Sequence, residues 1–232
     1  MKKIIMIFAF LATVVGVKAQ YEPGTWSIMP KVGVNVAWMT NMENISLWGN
    51  TQLDKQPLGG VIVGVEMEYQ LSRMFSLSAG LHVSEQGQGW KNFKGKFDGD
   101  NLEIRDPKLD LGYINIPIVA NIYLYKGLAV KAGVQFGFLA LAELKMTVKG
   151  DEYLDDGIKR DMTLDYTLGM KDDCKKMDIS IPIGISYEFN NHLVLDARYN
   201  LGLSKVNKES IAGEKDSKNG VFSLTLGYKM GL

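Results

Sequence analysis

Six charged residues stand at positions that an alternating chain would turn to one face: Glu66, Glu68, Lys131, Glu188, Asp196 and Arg198. Glu66 with Glu68, and Asp196 with Arg198, are two residues apart, the repeat of an extended strand. Carboxylates beside Lys and Arg in a narrow, dry space must pair, because an unpaired buried charge is very costly. An ion-paired plug is therefore the reading, with a gated ion path as the alternative. His82, with Ser84 and Glu85 close in sequence, could act as a base beside a nucleophile in acyl chemistry. Side chains two apart share a face without necessarily touching, so His82 reads as a packed interior residue and no catalytic residue is assigned. His192 follows a tight turn.

Oxygen-rich segments could hold calcium. Asp151, Glu152, Asp155 and Asp156, with Asp172 and Asp173, are acidic clusters, but none matches a full EF-hand spacing. Lys149, Lys159, Arg160, Lys171, Lys175 and Lys176 interleave with them, which favours a solvated mixed-charge loop. No metal and no cofactor is expected. Cys174 is the single cysteine, so neither an intramolecular disulfide nor a cysteine metal cluster is available. It reads as a free, inert thiol.

The elements that place the charged set are strands. Between Asp178 and Asn190, Ile179, Ile181, Ile183, Ile185, Tyr187 and Phe189 alternate with Asp178, Ser180, Pro182, Gly184, Ser186, Glu188 and Asn190. A period of two is a strand with one apolar and one polar face. Strands are predicted near 26–38, 59–70, 74–86, 111–125, 127–142, 177–190, 192–204 and 219–231. Each is long enough for the roughly 9–11 residues a tilted strand needs to cross a bilayer. An apolar face toward lipid and a polar face inside fit an all-β, eight-stranded antiparallel transmembrane barrel. Pro117 and Pro182 fall in the inward set, where bulges are predicted.

Connections alternate in length. Leu71-Ser72-Arg73, Lys126-Gly127 and Asn190-Asn191 are tight, the Asn pair because it tolerates positive φ. Residues 39–58, 87–110, 143–176 and 205–218 are long and polar. Short periplasmic turns and long extracellular loops are the asymmetry of an outer-membrane barrel. Tyr69, Phe75, Tyr187, Phe189 and Tyr228 lie near the tight turns or the C-terminus, as an interfacial belt would. Trp38, Phe138 and Tyr199 suit the outer belt. Lys2 and Lys3, the apolar run Ile4 to Val15 and the small residues of Val17-Lys18-Ala19 read as a signal peptide over 1–19. Residues 20–232 then form one barrel domain. The 26 Lys and Arg balance the 26 Asp and Glu, so nothing suggests a nucleic-acid partner.

Tyr113-Ile114-Asn115-Ile116-Pro117, Gly127 to Gly137, Gly184 to Glu188 and Asp196 to Leu203 together resemble the PorT-like outer-membrane β-barrel family. The resemblance spans essentially the mature chain and implies an eight-stranded barrel in a Gram-negative outer membrane, with loops that vary. The expected role is non-enzymatic: structural, or surface interaction through the long loops, with outer-membrane lipid and an extracellular or envelope protein as partners. A lipid-modifying acyltransferase or deacylase, or a small gated pore, is the alternative. Trp48, Trp90, Phe93, Phe97, Tyr153 and Tyr166 are the loop aromatics expected to make contacts.

Overall fold

A computed structural model describes residues 22–41, 45, 46, 52–97, 100–153, 159–208 and 216–232. Eight long strands form the barrel: β1 (Trp26–Thr40), β2 (Leu58–Gln70), β3 (Phe75–Trp90), β4 (Asp100–Tyr125), β5 (Leu128–Tyr153), β6 (Met177–Glu188), β7 (Leu193–Gly202) and β8 (Lys218–Tyr228). Each pairs antiparallel with the next, and β8 returns to β1 with Lys31 opposite Gly227, so the sheet closes on itself. Closure leaves the membrane-spanning ladder without an edge, the condition for strands in hydrocarbon.

The alternation sorts the two faces. Val32, Val34, Val61, Val63, Leu81, Val83, Ile183 and Ile185 are exposed apolar residues on the outside. Their neighbours Lys31, Asn35, Glu66, His82, Ser84 and Ser186 are buried inside. In water the outer belt would be an untenable apolar surface; against lipid it is the favourable one. Rings flank the belt. Trp26 packs on Tyr69 at 4.7 Å and Tyr187 on Phe189 at 4.9 Å near the short turns; Trp38 stacks on Tyr199 at 5.8 Å near the other end.

Three expectations need correction. Pro117 and Pro182 do point inward and are fully buried, but neither sits at a bulge. The ladders beside them skip two pairs and resume in the same register: Ala79↔Ile118 then His82↔Asn115, and Ser180↔Gln135 then Ile183↔Ala132. In the 189–192 turn the positive φ belongs to His192 (64°), not to the Asn pair.

The largest correction concerns 87–110 and 143–176, expected as loops. β4 and β5 run far past the membrane belt and pair to Leu102↔Gly150. The strand Phe93–Phe97 adds to β4 and Lys159–Gly169 adds to β5, giving a four-stranded sheet that projects from the outer mouth. Two irregularities set its faces. Gly112 pairs with Leu141 and Tyr113 with Leu139, leaving Ala140 as an extra residue; a second shift lies between Arg105 and Lys108, with Asp106 at φ 49°. A one-residue insertion exchanges the faces of everything beyond it. Below Ala140 the even-numbered apolar residues of β5, such as Ala132 and Phe138, point out; above it Ala142 points in and Leu141 out.

Candidate functional site

Inside the barrel the six predicted charges meet, joined by two lysines the alternation also holds. Glu66 lies at the centre of the upper group: Nζ of Lys31 is 3.0 Å away and Nη1 of Arg198 3.0 Å. The same guanidinium donates through Nη2 to Asp196 at 2.9 Å, and Lys131 donates to that carboxylate at 2.7 Å. His82 turns Nε2 to Glu66 at 3.2 Å. Nearer the short turns Lys229 bridges Glu68 at 3.0 Å and Glu188 at 3.5 Å. Ser76 and Tyr123 donate to Glu68, and Lys229 donates to the Tyr123 hydroxyl.

Four carboxylates, Glu66, Glu68, Glu188 and Asp196, thus face four cations, Lys31, Lys131, Arg198 and Lys229, all nearly buried. Gly80 leaves the room Glu66 needs, since a Cβ there would lie 2.6 Å from its Cγ. A cavity of about 10 Å³ beside the cluster is bordered by Lys31, His82, Asp196, Arg198 and Thr225. That is room for about one water. The arrangement is a charge-balanced plug.

The catalytic alternative loses its geometry. Ser84 accepts hydrogen bonds from Asn115 and Gln86 at 2.8 Å each, whereas His82 is held against Glu66. Lys31 and Lys229 were legible too: Lys31 alternates with Val32 and Val34, and Lys229 with Tyr228 and Met230.

Above the plug an apolar layer closes the mouth, with Met39, Trp90, Leu111, Tyr113, Leu139 and Val206 buried together. Trp90 is 2% exposed, so it is a core residue rather than the loop contact expected of it. Phe93 packs partly buried against this cluster, which corrects its assignment as well. Trp90 reaches this layer because β3 continues to it instead of ending in a loop, and Phe93 reaches it from the strand Phe93–Phe97. Cys174 is buried in the same layer, and burial pushes its thiol pKa up. Tyr166 is half exposed on the projecting sheet. Trp48 and the side chains of Phe97 and Tyr153 lie outside the described residues.

The projecting sheet has two unlike faces. Outward are paired charges: Glu103 with Arg105 at 2.8 Å and Lys94 at 2.9 Å, and Lys145 with Glu143 at 2.8 Å and Asp110 at 3.1 Å. Inward, in register, are Ile104–Val148–Leu164 and Leu109–Leu144–Leu168. Ile104 and Leu109 are buried, but Leu164, Tyr166 and Leu168 are 38%, 50% and 59% exposed. The sequence hides this surface because Glu103, Lys108, Asp110, Lys145 and Lys149 make the segments look like loops.

The family described as outer membrane protein beta-barrel domain matches residues 18–208. A search of curated proteins finds no match. Among solved structures, Ail of Yersinia pestis, with a heparin analogue, is 12% identical at a TM-score of 0.44, covering 89% of this chain and 99% of that one. Neisserial surface protein A is 13% identical at 0.40, covering 88% and 97%. OprG from Pseudomonas aeruginosa is 12% identical at 0.39, covering 92% and 99%. With the family model spanning most of the sequence, the chain belongs to the outer membrane protein beta-barrel domain family and is a protein of the outer membrane.

Proposed function

We propose that this chain is a non-enzymatic surface-interaction protein, in which the sealed barrel anchors an extracellular sheet that meets a partner. The observation that carries the reading is the exchange of faces at Ala140. Below it the apolar side faces lipid; above it an apolar strip of Leu164, Tyr166 and Leu168 is carried clear of the bilayer and left half uncovered. Exposed apolar surface with a polar surround is the mark of a contact site. The plug supports the same reading, since eight strands filled with paired side chains leave no water column. Export through a signal peptide cleaved after Ala19 belongs to this proposal, and a mature N-terminus at Gln20 by mass spectrometry checks it.

The test has three parts. Purified protein in planar bilayers should give no stepwise conductance. Deleting the gene should leave lipid A and phospholipid acyl chains unchanged by mass spectrometry. Trimming the projecting sheet should abolish a gene-dependent attachment of cells to a surface or to one another. Conductance steps would overturn the reading in favour of a pore. Altered acyl chains restored by the wild type but not by His82→Ala would overturn it in favour of an enzyme.

A further inference from the structure

The projecting sheet has two edges, and they are built differently. The Phe93–Phe97 edge is five residues long and carries Lys94, Gly95 and Lys96. Lysines and a short length are how sheets keep a free edge from pairing. The other edge, Lys159–Gly169, pairs only with β5 among the described residues. Its run Met162-Thr163-Leu164-Asp165-Tyr166-Thr167-Leu168-Gly169 has one charge and no proline. Residues Thr163 to Gly169 are all exposed. One edge is blocked and the other is open.

We propose that the open edge pairs antiparallel with the same strand of a second copy, joining two apposed outer membranes. The inference rests on the surface-interaction reading and names its partner. Self-complementarity about Tyr166 carries it. With Tyr166 opposite Tyr166, Leu164 meets Leu168 twice on the apolar face, and Asp165 meets Thr167 twice on the polar face. Aromatic and apolar cross-strand pairs stabilise an antiparallel ladder, and like charges directly opposite destabilise it. The competing register centred on Asp165 would set Asp165 against itself. The chosen register also carries the Lys159-Arg160-Asp161 end of each strand toward the partner's turn, where Lys171, Asp172 and Asp173 are exposed. The paired edges would make the two apolar inner faces continuous.

Geometry decides between one membrane and two. Copies in one membrane are related by rotation about its normal, and barrel strands tilt by roughly 35–45°. Their edge strands would cross at about twice that tilt and could not form a ladder. Identical strands become antiparallel only about a two-fold axis that points the barrels at each other. The sheet reaches about a dozen residues past the belt, roughly 30 Å after tilt, so it stands clear of the bilayer.

Two populations of phosphatidylcholine–phosphatidylglycerol vesicles carrying the full-length protein, each with its own dye, test this. Wild-type protein in both populations should make the dyes co-diffuse. Leu164→Lys with Leu168→Lys, which gives this edge the lysines of the other, should lower co-diffusion at least tenfold. Its barrel is verified by the heat-dependent shift in gel mobility. Tyr166→Cys should form disulfide dimers between populations, whereas wild type should not, its Cys174 being buried. Dimers confined to one population, or co-diffusion unaffected by the lysines, would overturn the pairing. So would a Tyr166→Cys variant that does not cross-link beside wild-type protein that does not tether. If that protein is also non-conducting and trimming its sheet still abolishes cell attachment, only the partner's identity fails and the surface-interaction reading stands.

Discussion

Arg198 shows how the interior is held. Its guanidinium is shared between Glu66 and Asp196 at 3.0 and 2.9 Å, and planar two-pronged donation is what Arg supplies and Lys does not. Replacing it with Leu leaves two buried carboxylates with Lys31 and Lys131 alone. Breaking a buried ion pair on one side costs about 3–5 kcal/mol. Arg198→Leu is therefore expected to lower the urea midpoint of unfolding, read by gel mobility, and adding Glu66→Gln should recover part of the loss. Glu103 gives a prediction outside the membrane. The hydrogen bond from Arg105, then that from Lys94, holds its carboxyl pKa at about 2 against an ordinary 4.5. A depressed carboxyl stabilises the fold above its unfolded value and loses that contribution as pH falls toward the folded one. Amide exchange in Phe93–Phe97, corrected for its intrinsic rate, should thus be steady above pH ~5 and rise between about 4.5 and 2. Arg105→Ala should raise the lower end of that window and shrink the rise.

Strands were legible where one rule governed them. From Ile114 to Leu124 and from Leu128 to Phe138 the apolar residues face lipid without interruption, so the alternation named both strands and their faces. The rule failed past Ala140 because the solvent outside the barrel changes from lipid to water. There Glu143, Lys145 and Thr147 belong outside, and Leu144, Met146 and Val148 inside. Charges at those positions break the apolar-out pattern and give the segment the look of a loop. The inserted residue is the device that reconciles the two regimes, and it makes a direct prediction. Deleting Ala140 should turn Leu144, Met146 and Val148 toward water and the charged set inward. The heat-dependent mobility of the barrel should persist, because the plug lies below the deletion. Protease resistance of the projecting sheet should be lost.

The whole molecule divides by what each part is packed against. Six of the plug's eight charges stand out in the sequence: Glu66, Glu68, Lys131, Glu188, Asp196 and Arg198 share the inward parity, and Lys31 and Lys229 obey it less conspicuously toward the ends of the described chain. The layer that buries Trp90 was not legible, because an aromatic beside Gly89 and Lys91 looks like a loop residue until β3 is known to continue. These parts make few demands on the outer end of the sheet. Ladder pairs from Lys31↔Gly227 around to Ile183↔Ala132 lie wholly within the membrane belt, and the charge cluster is complete there. Removing Lys94–Arg105 and Thr147–Asp165, each replaced by a short Gly-Asn turn, should therefore leave a closed barrel. It would take away Glu103 with its ion pairs and most of the open edge, and keep Leu109, Leu111 and Leu144 over the mouth. The expected result is an unheated band that still runs ahead of the heated one, with an unfolding midpoint close to wild type. A trimmed protein that no longer folds would mean that the projecting sheet nucleates the barrel instead of resting on it.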